Sequence, residues 1–561
     1  MPVNAVQRFL TSVARFPDRP ALWVDGRSLC YRELHDHAQA LAEELRSHPG
    51  TVCATLGERS LTAYCAPLAC MLAGRIHVPL GASFPDARMH DILQRTRPAV
   101  LVCDRANEPR ARALCTTLGF PVEVVVPADD APPAARSTAS TPTPDPPAAC
   151  DDTATSGLPV ADGGIAYVLF TSGSTGRPKG VAVGHQALDA YVAAVLARYP
   201  QYDEQQRCSQ FFEPTFDLSM HDMFVTWAAG ACLYSVPANA LMMPTAFVNE
   251  HRLCVWFSVP SLPATLQRLR LLAPGTLPTV RLALFCGEAL PGAVVADFMR
   301  AAPDARCDNL YGPTEATIAC TAHTITRHDA LQRVVPIGVP FPGMELAIVD
   351  AEGAHCGEGE PGELWLGGDQ LAFGYWQDRD QTHARFVEAL LPDRHATRWY
   401  RTGDLASIDA RGVAHFHGRI DRQVKLRGYR VELQEVEAQL REACAATGQP
   451  AQVAVVTLAD PSGTLTGLAA FVASEGFERA PALAAMRRRL PAYMMPGTLQ
   501  VLDALPLNSN GKVDYPALQA RARADALRPR RHGAAPSGTP QEDRASRHCT
   551  NDDRTSEEQP G

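Results

Sequence analysis

Over the first 126 residues, short apolar runs typical of buried strands alternate with amphipathic stretches that have the period of a helix. Short apolar runs at residues 21–24, 52–56 and 100–103 predict strands, and the amphipathic stretch at residues 31–45 predicts a helix. Strands that alternate with helices along a chain are typical of an α/β fold. We therefore predict β-sheets with flanking helices.

The pattern breaks sharply after the apolar, strand-like run at residues 167–170. The next six residues are small or hydroxylated: Thr171, Ser172, Gly173, Ser174, Thr175 and Gly176. Such a loop can turn backbone N–H groups and hydroxyls toward one anion, and Arg177 and Lys179 add positive charge. The spacing does not match the Walker phosphate loop. The motif therefore indicates a phosphate-binding loop of another kind, with a polar surface turn as the alternative.

Three further turns carry candidate chemical groups. Asp217 is either a helix cap or a carboxylate aimed into a cavity to pair with a cation, and His221 is best explained as a wall of that cavity. Thr314 and Glu315 follow a Gly-Pro turn and suit a magnesium ion held with a phosphate, although a helix N-terminus would look similar. Asp404 suits ribose hydroxyls or a structural turn.

Length and composition indicate more than one domain. A chain of 561 residues is too long for a single core. Residues 127–161 and residues 519–561 are poor in large apolar side chains, so we predict a disordered insertion and a disordered tail. Between them we place a boundary near Asp421. This gives an N-terminal core over residues 1–420 and a C-terminal domain over residues 421–518.

Charge and cysteine content narrow the class of protein. A net charge of −9 and a pI near 6.0 argue against nucleic acid or an anionic membrane as the main partner. The sequence shows no signal peptide and no apolar run as long as a membrane span. The 16 cysteines form no C-x-x-C pair, which favours reduced thiols and a cytoplasmic location.

The use of lysine is unusual. Of the 52 basic residues only three are lysines, at positions 179, 425 and 512, and each lies in a short glycine-containing motif. Arginine and lysine are not interchangeable where a compact point charge is needed. The three lysines are therefore candidate functional residues.

Taken together, the motifs resemble those of a known family. The chain reads YVLFTSGSTGRPKGV, FDLS, NLYGPTE, GELWLGG, YRTGDL, GRIDRQVKLRGYRVE and LPLNSNGKVDY in that order. This series resembles the adenylate-forming superfamily, and within it the amino-acid adenylation domains of nonribosomal peptide synthesis, over roughly residues 5–518. The resemblance implies a large N-terminal domain of β-sheets and helices and a small, mobile α+β C-terminal domain.

The resemblance also implies an activity and its residues. Members use ATP and Mg²⁺ to convert a carboxylate into an acyl-adenylate, and then pass the acyl group to a thiol. Lys512, Thr314 and Glu315 would be catalytic, with Glu315 the magnesium ligand. Asp421 would be the hinge about which the C-terminal domain swings, and Gly428 would mark the segment, including Lys425, presented to the thiol. The nucleotide would contact the loop from Thr171 through Gly176 with Lys179, and also Gly287, Glu288, Ala289, Asn309, Tyr311, Asp404 and Arg419.

Asp217 matches the position that binds the substrate α-ammonium in amino-acid-activating members. The remaining matched substrate positions are Leu218, His221, Ser261, Leu284, Cys286, Leu310, Ile318 and Ala319. Their bulk and lack of charge predict a small side chain, with alanine first, serine or glycine next and proline a further option. Some likeness to D-alanine-activating ligases points the same way. We find no carrier-protein motif after Leu518, so the implied acceptor is the phosphopantetheine thiol of a separate carrier protein.

Two other classes of function stay open at this point. An acyl-CoA ligase or an amide-forming ligase would share the fold, although Asp217 argues against the former. A non-catalytic nucleotide-binding scaffold would also share it, although the presence of every motif residue, Lys512 included, argues against a scaffold.

Overall fold

The computed structural model describes residues 4–127, 164–173, 177–446, 451–460, 464–474, 477–508 and 511–526. The predicted disordered insertion at residues 127–161, apart from residue 127, lies outside these ranges, as does the part of the predicted tail after residue 526.

The chain alternates strands and helices throughout. The strands are β1 Pro20–Val24, β2 Arg27–Cys30, β3 Val52–Leu56, β4 Ile76–Leu80, β5 Val100–Cys103, β6 Glu123–Val125, β7 Ile165–Thr171, β8 Lys179–Gly184, β9 Arg207–Gln210, β10 Cys232–Ser235, β11 Val255–Ser258, β12 Leu282–Phe285, β13 Arg306–Tyr311, β14 Thr321–Thr324, β15 Val339–Pro340, β16 Met344–Val349, β17 Gly362–Gly368, β18 Gly374–Tyr375, β19 Phe386–Glu388, β20 Arg398–Ile408, β21 Ala414–Arg419, β22 Gln423–Leu426, β23 Tyr429–Glu432, β24 Gln452–Ala459, β25 Leu465–Ala473 and β26 Thr498–Leu502. The helices are α1 Val6–Arg15, α2 Tyr31–Arg46, α3 Leu61–Leu72, α4 Asp86–Thr96, α5 Glu108–Thr116, α6 His185–Arg198, α7 Asp217–Ala228, α8 Thr245–Glu250, α9 Ser261–Arg268, α10 Gly292–Ala301, α11 Arg379–Arg385, α12 Leu433–Ala446, α13 Arg479–Arg487 and α14 Tyr515–Ala526, with short 3₁₀ turns at Thr314–Ala316, Asp329–Leu331 and Ala492–Met494.

Two large sheets form the frame of the molecule. One has nine strands in the order β15-β14-β13-β12-β11-β9-β10-β1-β2, and the other has seven in the order β18-β8-β7-β4-β3-β5-β6. Most neighbours in each sheet are parallel, which requires helical crossovers between strands. Helices α3 and α7 are buried along almost their whole length, as expected of helices that are apolar on all sides. The predicted α/β architecture is confirmed.

Two smaller groups of strands follow. A five-stranded antiparallel sheet joins β16, β17, β20 and β19, with β21 paired to β20. The elements from β22 to α14, which we call the C-terminal elements, contain a two-stranded sheet, β22-β23, and a three-stranded sheet, β24-β25-β26. They bury an apolar cluster of their own, centred on residues such as Val431, Leu440 and Val455.

The start of the tail differs from the sequence prediction. We expected disorder from residue 519, but α14 continues to Ala526. The reason is packing, because Leu518 and Ala522 lie one helical turn apart and both bury against Phe471 and its neighbours. Among the described residues, no helix is long and apolar enough to cross a membrane.

Candidate active site

Two cavities open where several strands of the two large sheets end. A small cavity of about 70 Å³ is lined by residues that follow β7, β12 and β13 and by the first turn of α7. A larger cavity of about 600 Å³ lies beside it and shares Tyr311, Asp404 and Arg419 in its lining. Crevices beyond the carboxyl ends of strands are the usual place for ligands in α/β folds. The larger volume is that of a typical ligand pocket, whereas the smaller one suits only a small group.

Asp217 lies at the start of α7 and lines the small cavity. Its side chain is 9% exposed, and no Lys or Arg in the described ranges lies within ion-pair distance of it. Burial raises the pKa of Asp217 to about 6, although a hydrogen bond from the Thr314 side chain and the charge of Lys425 lower it. A buried carboxylate without a paired cation is costly, which marks Asp217 as a site for a ligand cation.

The predicted side-chain pocket is only partly assembled around this cavity. Leu218, Cys286 and Ile318 line it, whereas Leu284 and Ala319 are buried without lining either cavity, and Leu310 and Ser261 line the larger one.

Ile318 reaches the cavity through unusual backbone geometry. It follows Thr317, and both residues have positive φ, which is rare for β-branched residues and concentrated at functional sites. Gly312 permits the close fold of this loop, because a Cβ there would lie 2.5 Å from the Cα of Ala319.

His221 is buried one turn after Asp217 but does not line either cavity. The Tyr191 hydroxyl is 2.6 Å from its Nδ1, and the ring centroid of Phe257 is 4.2 Å away. Burial lowers the pKa of His221 to about 3, so the ring is neutral at pH 7. His221 therefore supports the wall behind the cavity and is not placed to exchange protons with a ligand there.

The larger cavity collects most of the predicted nucleotide residues. Those lining it are Gly287, Glu288, Ala289, Asn309, Tyr311, Asp404 and Arg419. The Tyr311 hydroxyl donates to Asp404 Oδ2 at 2.5 Å, and Arg419 Nη1 donates to Asp404 Oδ1 at 2.7 Å. These bonds hold the Asp404 carboxylate rigidly at the rim that the two cavities share, as hydroxyl recognition requires.

The predicted phosphate loop is described only in part. Thr171, Ser172 and Gly173 lie at the end of β7, and Ser174, Thr175 and Gly176 lie outside the described residues. The Ser172 hydroxyl donates to the Arg430 carbonyl and accepts from the Glu432 N–H. The Gly173 N–H donates to Glu435 Oε2 at 3.1 Å. The described part of the loop is thus covered by the C-terminal elements.

Glu315 is fully buried at the centre of a charged cluster. Arg430 Nη1 donates to both of its oxygens, at 2.9 and 2.8 Å, the Tyr375 hydroxyl donates at 2.8 Å, and Lys179 Nζ lies 3.1 Å away. Burial acts to raise the pKa of Glu315, but the charges of Arg430 and Lys179 outweigh it and hold the pKa well below its usual value. Burial and the nearby Arg430 lower the pKa of Lys179 to about 8.

These contacts test the predicted magnesium site. Two cations already neutralise Glu315, and a divalent ion would meet like charge there. The residues around Glu315 therefore do not fit a magnesium ion while Arg430 is in place. Elsewhere in the described ranges, no group of three His, Cys, Asp or Glu side chains could hold a metal.

Glu288 connects the larger cavity to the C-terminal elements. Its two oxygens accept from the Gly428 N–H at 2.7 Å and the Ser261 N–H at 2.8 Å. Gly428 has a φ of 83°, and a Cβ there would lie 2.5 Å from Val259, so only glycine fits this approach. The segment around Gly428 thus enters the site, and Lys425 lines both cavities.

Lys512 is placed differently from the other candidate residues. It is exposed at the end of a turn, its N–H donates to Asn508 Oδ1, and its side chain lines neither cavity. Asp421 pairs with Arg419 through both oxygens at the junction before β22. This arrangement brings Gly428 and Lys425 to the site and leaves Lys512 outside it.

Sequence reasoning missed the cross-contacts made by Arg430, Glu435, Tyr375 and Arg88. Arg430 lies in the motif around Gly428, and Glu435 lies three residues beyond the end of that motif. Several other charged residues surround them, so charge alone did not single them out. Arg88 and Tyr375 carry no local signal, because their partners lie far along the chain, 347 residues from Arg88 and 60 residues from Tyr375.

Comparison with known proteins identifies the family. The model of the AMP-binding enzyme family matches residues 9–376, and the chain belongs to that family. It is 35% identical over 529 residues to phosphinothricin tripeptide synthetase PhsC of Streptomyces viridochromogenes, which covers 90% of this chain and 44% of that protein. It is 34% identical over 522 residues to novobiocin biosynthesis protein H of Streptomyces niveus, covering 91% and 81%. The chain thus spans less than half of PhsC.

A solved structure agrees with these relatives. The Vibrio cholerae adenylation domain AlmE, determined with glycyl-adenosine-5′-phosphate, superposes with a TM-score of 0.79 at 30% identity, over 93% of this chain and 98% of that one. The resemblance to amino-acid adenylation domains that the motifs predict is confirmed.

Proposed function

We propose that this protein activates a small amino acid with ATP as an aminoacyl-adenylate and transfers it to the phosphopantetheine thiol of a separate carrier protein. The observation that carries the proposal is Asp217, a buried carboxylate that pairs with no Lys or Arg of the described residues and lines the small cavity. A substrate α-ammonium would supply the missing charge. The larger cavity next to it would take the adenosine portion of the nucleotide.

The first step of the reaction, the formation of the adenylate, requires alignment and charge neutralisation. The substrate carboxylate attacks an α-phosphate that is already anionic, so the site must align the two groups and neutralise their charge. Lys179 contributes one cation from the N-terminal part of the chain, and Asp404, fixed by Tyr311 and Arg419, would position the ribose. With Arg430 withdrawn, Glu315 would hold Mg²⁺, which supplies further neutralisation of the phosphates.

The exposed position of Lys512 supports the proposal that the described arrangement serves the second step. In the proposal the C-terminal elements pivot near Asp421, which brings Lys512 to the site for adenylation and the segment around Gly428 to the site for transfer. The contacts of Gly428 with Glu288 and Val259 support the transfer role of this arrangement.

The size of the small cavity supports a small substrate. Leu218, Cys286 and Ile318 line it, together with the charged residues Asp217, Asp404, Arg419, Lys425 and Arg430. The solved relative AlmE contains glycyl-adenosine-5′-phosphate, which carries a small amino acid. Alanine is the first candidate, followed by serine and glycine.

The test is amino-acid-dependent exchange of pyrophosphate into ATP, measured over a panel of D-, L- and β-amino acids and simple carboxylic acids. We expect exchange with one small amino acid and its loss in Lys512→Ala. Exchange only with acids that lack an amino group would refute the assignment of Asp217. Formation of a free CoA thioester in place of a loaded carrier would refute the acceptor.

A further inference from the structure

The loop between β13 and β14 makes a strained turn at a residue that lines the small cavity. Thr317 and Ile318 both have positive φ, 55° and 74°. The Ala319 N–H donates to the Thr317 carbonyl at 2.9 Å, so these three residues form a γ-turn centred on Ile318. A γ-turn with a positive central φ is the rare and strained form, and β-branched residues are least suited to it. Ile318 nevertheless lines the cavity beside Asp217.

Strain of this kind persists only where neighbouring contacts hold the backbone in place. The Thr317 hydroxyl donates to the Gln370 carbonyl at 2.6 Å, and the Ala372 N–H donates to the Glu315 carbonyl at 2.9 Å. The segment that follows β17 is therefore bonded to the loop on both sides of Ala316. Thr317 and Gln370 are fully buried, so solvent cannot replace the hydroxyl if it is removed.

The other side of the turn is closed by backbone. A Cβ at Gly312 would lie 2.5 Å from the Cα of Ala319 and 2.9 Å from the Ile318 carbonyl oxygen, so the turn packs directly on the Gly312 backbone. Beyond the turn the chain enters β14, which pairs with β13. These contacts fix the end of the turn, and the Thr317 hydroxyl holds its first residue.

We propose that Thr317, through its bond to the Gln370 carbonyl, is a positioning residue that sets how long a substrate side chain the small cavity admits, because it holds the turn at Ile318 in its strained form. Without the hydroxyl, the backbone relaxes toward the negative φ that β-branched residues favour. A change of φ at Ile318 turns its side chain away from its present direction and enlarges the cavity beside Asp217. The inference rests on the proposed function, since it takes this cavity to hold the substrate side chain.

Thr317→Val is the first test, because valine keeps the branched shape of threonine and lacks the hydroxyl. The measured quantity is the ratio of kcat/KM for an amino acid one carbon longer than the preferred substrate to kcat/KM for the preferred substrate, in the pyrophosphate exchange assay. We expect this ratio to rise by about tenfold. A merely structural role would lower kcat/KM for both substrates equally, and an unchanged ratio would overturn the inference.

Two further variants at the same position check the role of the hydroxyl. Thr317→Ser keeps the bond to the Gln370 carbonyl and should keep the wild-type ratio. Thr317→Ala removes the bond with less bulk than valine and should raise the ratio, and it tests the inference by itself if the valine variant does not fold. A rise in the serine variant equal to that in the alanine variant would refute the role of the hydroxyl.

Thr321→Val is the matched control. Thr321 is as buried as Thr317, and its hydroxyl donates to the Ile337 carbonyl at 2.5 Å, but it lies within β14 and lines neither cavity. Its ratio should equal that of the wild type. A rise of the same size as in Thr317→Val would mean that any lost buried hydroxyl in this region loosens the cavity.

A crystal structure of Thr317→Val, or of Thr317→Ala, gives a readout that needs no activity. We expect a negative φ at Ile318 and a larger cavity beside Asp217, whereas an unchanged turn would overturn the inference. The amino-acid panel on the same preparations separates the two proposals. If no acid supports exchange of pyrophosphate into ATP but the turn relaxes, the proposed function fails alone. If a small amino acid supports exchange and both the ratio and the turn stay as in the wild type, this inference fails alone.

Discussion

Asp217 and Glu315 are both buried carboxylates in the first turn of a helix, α7 and the 3₁₀ turn Thr314–Ala316, yet their surroundings differ in charge. Glu315 is neutralised by Lys179 and Arg430, and its pKa is held well below its usual value. Burial raises the pKa of Asp217 to about 6, although hydrogen bonds from the Thr314 side chain and the Leu218 N–H and the charge of Lys425 lower it. Glu315 is thus neutralised by cations of the chain itself, whereas Asp217 needs a cation from a ligand.

Removal of the Asp217 charge should have the largest effect, and it tests whether this carboxylate pairs with a ligand cation. Asp217→Asn should lower kcat/KM for the amino acid by about 100- to 1000-fold, since losing one partner of a buried ion pair costs roughly 3–4 kcal/mol. Pyrophosphate exchange at varied amino acid concentration measures this. Asp222→Asn is the control, because Asp222 is buried in the same helix but lines neither cavity. An equal loss in both variants would show that the effect is structural.

The corresponding change at Glu315 should act on stability. Glu315→Gln removes the carboxylate that pairs directly with the buried Lys179 and Arg430, and we expect the free energy of unfolding to fall by about 3 kcal/mol. Chemical denaturation followed by circular dichroism measures it. Glu108→Gln, which breaks the surface pair with Arg112, should cost less than about 1 kcal/mol. Similar losses in the two variants would contradict the role given to the Glu315 cluster.

The pH dependence of the reaction tests the pKa of Asp217. Its carboxylate must be ionised to bind an ammonium, and a raised pKa means that protonation sets in at higher pH than for an ordinary aspartate. As pH falls from 8 to 5, kcat/KM for the amino acid should therefore drop by about tenfold, with the midpoint near 6. The residual activity of Asp217→Asn should lack this limb. A flat wild-type profile down to pH 5 would refute the assignment.

The smallest expected effect concerns the size of the cavity beside Asp217 and the substrate preference that this size sets. Cys286→Ala should widen it and shift the preference toward a substrate one carbon longer by roughly fivefold, or about 1 kcal/mol. Competing substrates in the exchange assay measure the ratio. Cys320→Ala alters a thiol that is buried but lines neither cavity, and should leave the ratio unchanged. A shift in both variants would mean that the effect comes from packing.

Much of the fold followed from local sequence. The predicted strands at residues 52–56 and 100–103 coincide with β3 and β5, and the predicted helix at residues 31–45 is α2 with one further residue. Apolar runs and amphipathic periods are local properties of the sequence, so they predict strands and helices without knowledge of the topology. The motifs likewise marked Asp217, Glu315 and Asp404 as candidate chemical groups, since each stands in a predicted turn, and turns fix where such side chains project.

What the sequence by itself determined is therefore the class of fold and the family, and it supplied the candidates for the reactive groups. What the tertiary structure decided is which groups meet. The pairing of Arg430 with Glu315, of Glu435 with Gly173 and Arg88, and the exposure of Lys512 all depend on how the C-terminal elements pack on the large sheets. Contacts between residues more than a hundred positions apart leave no periodic pattern in a chain, and only the packed structure brings them within bonding distance.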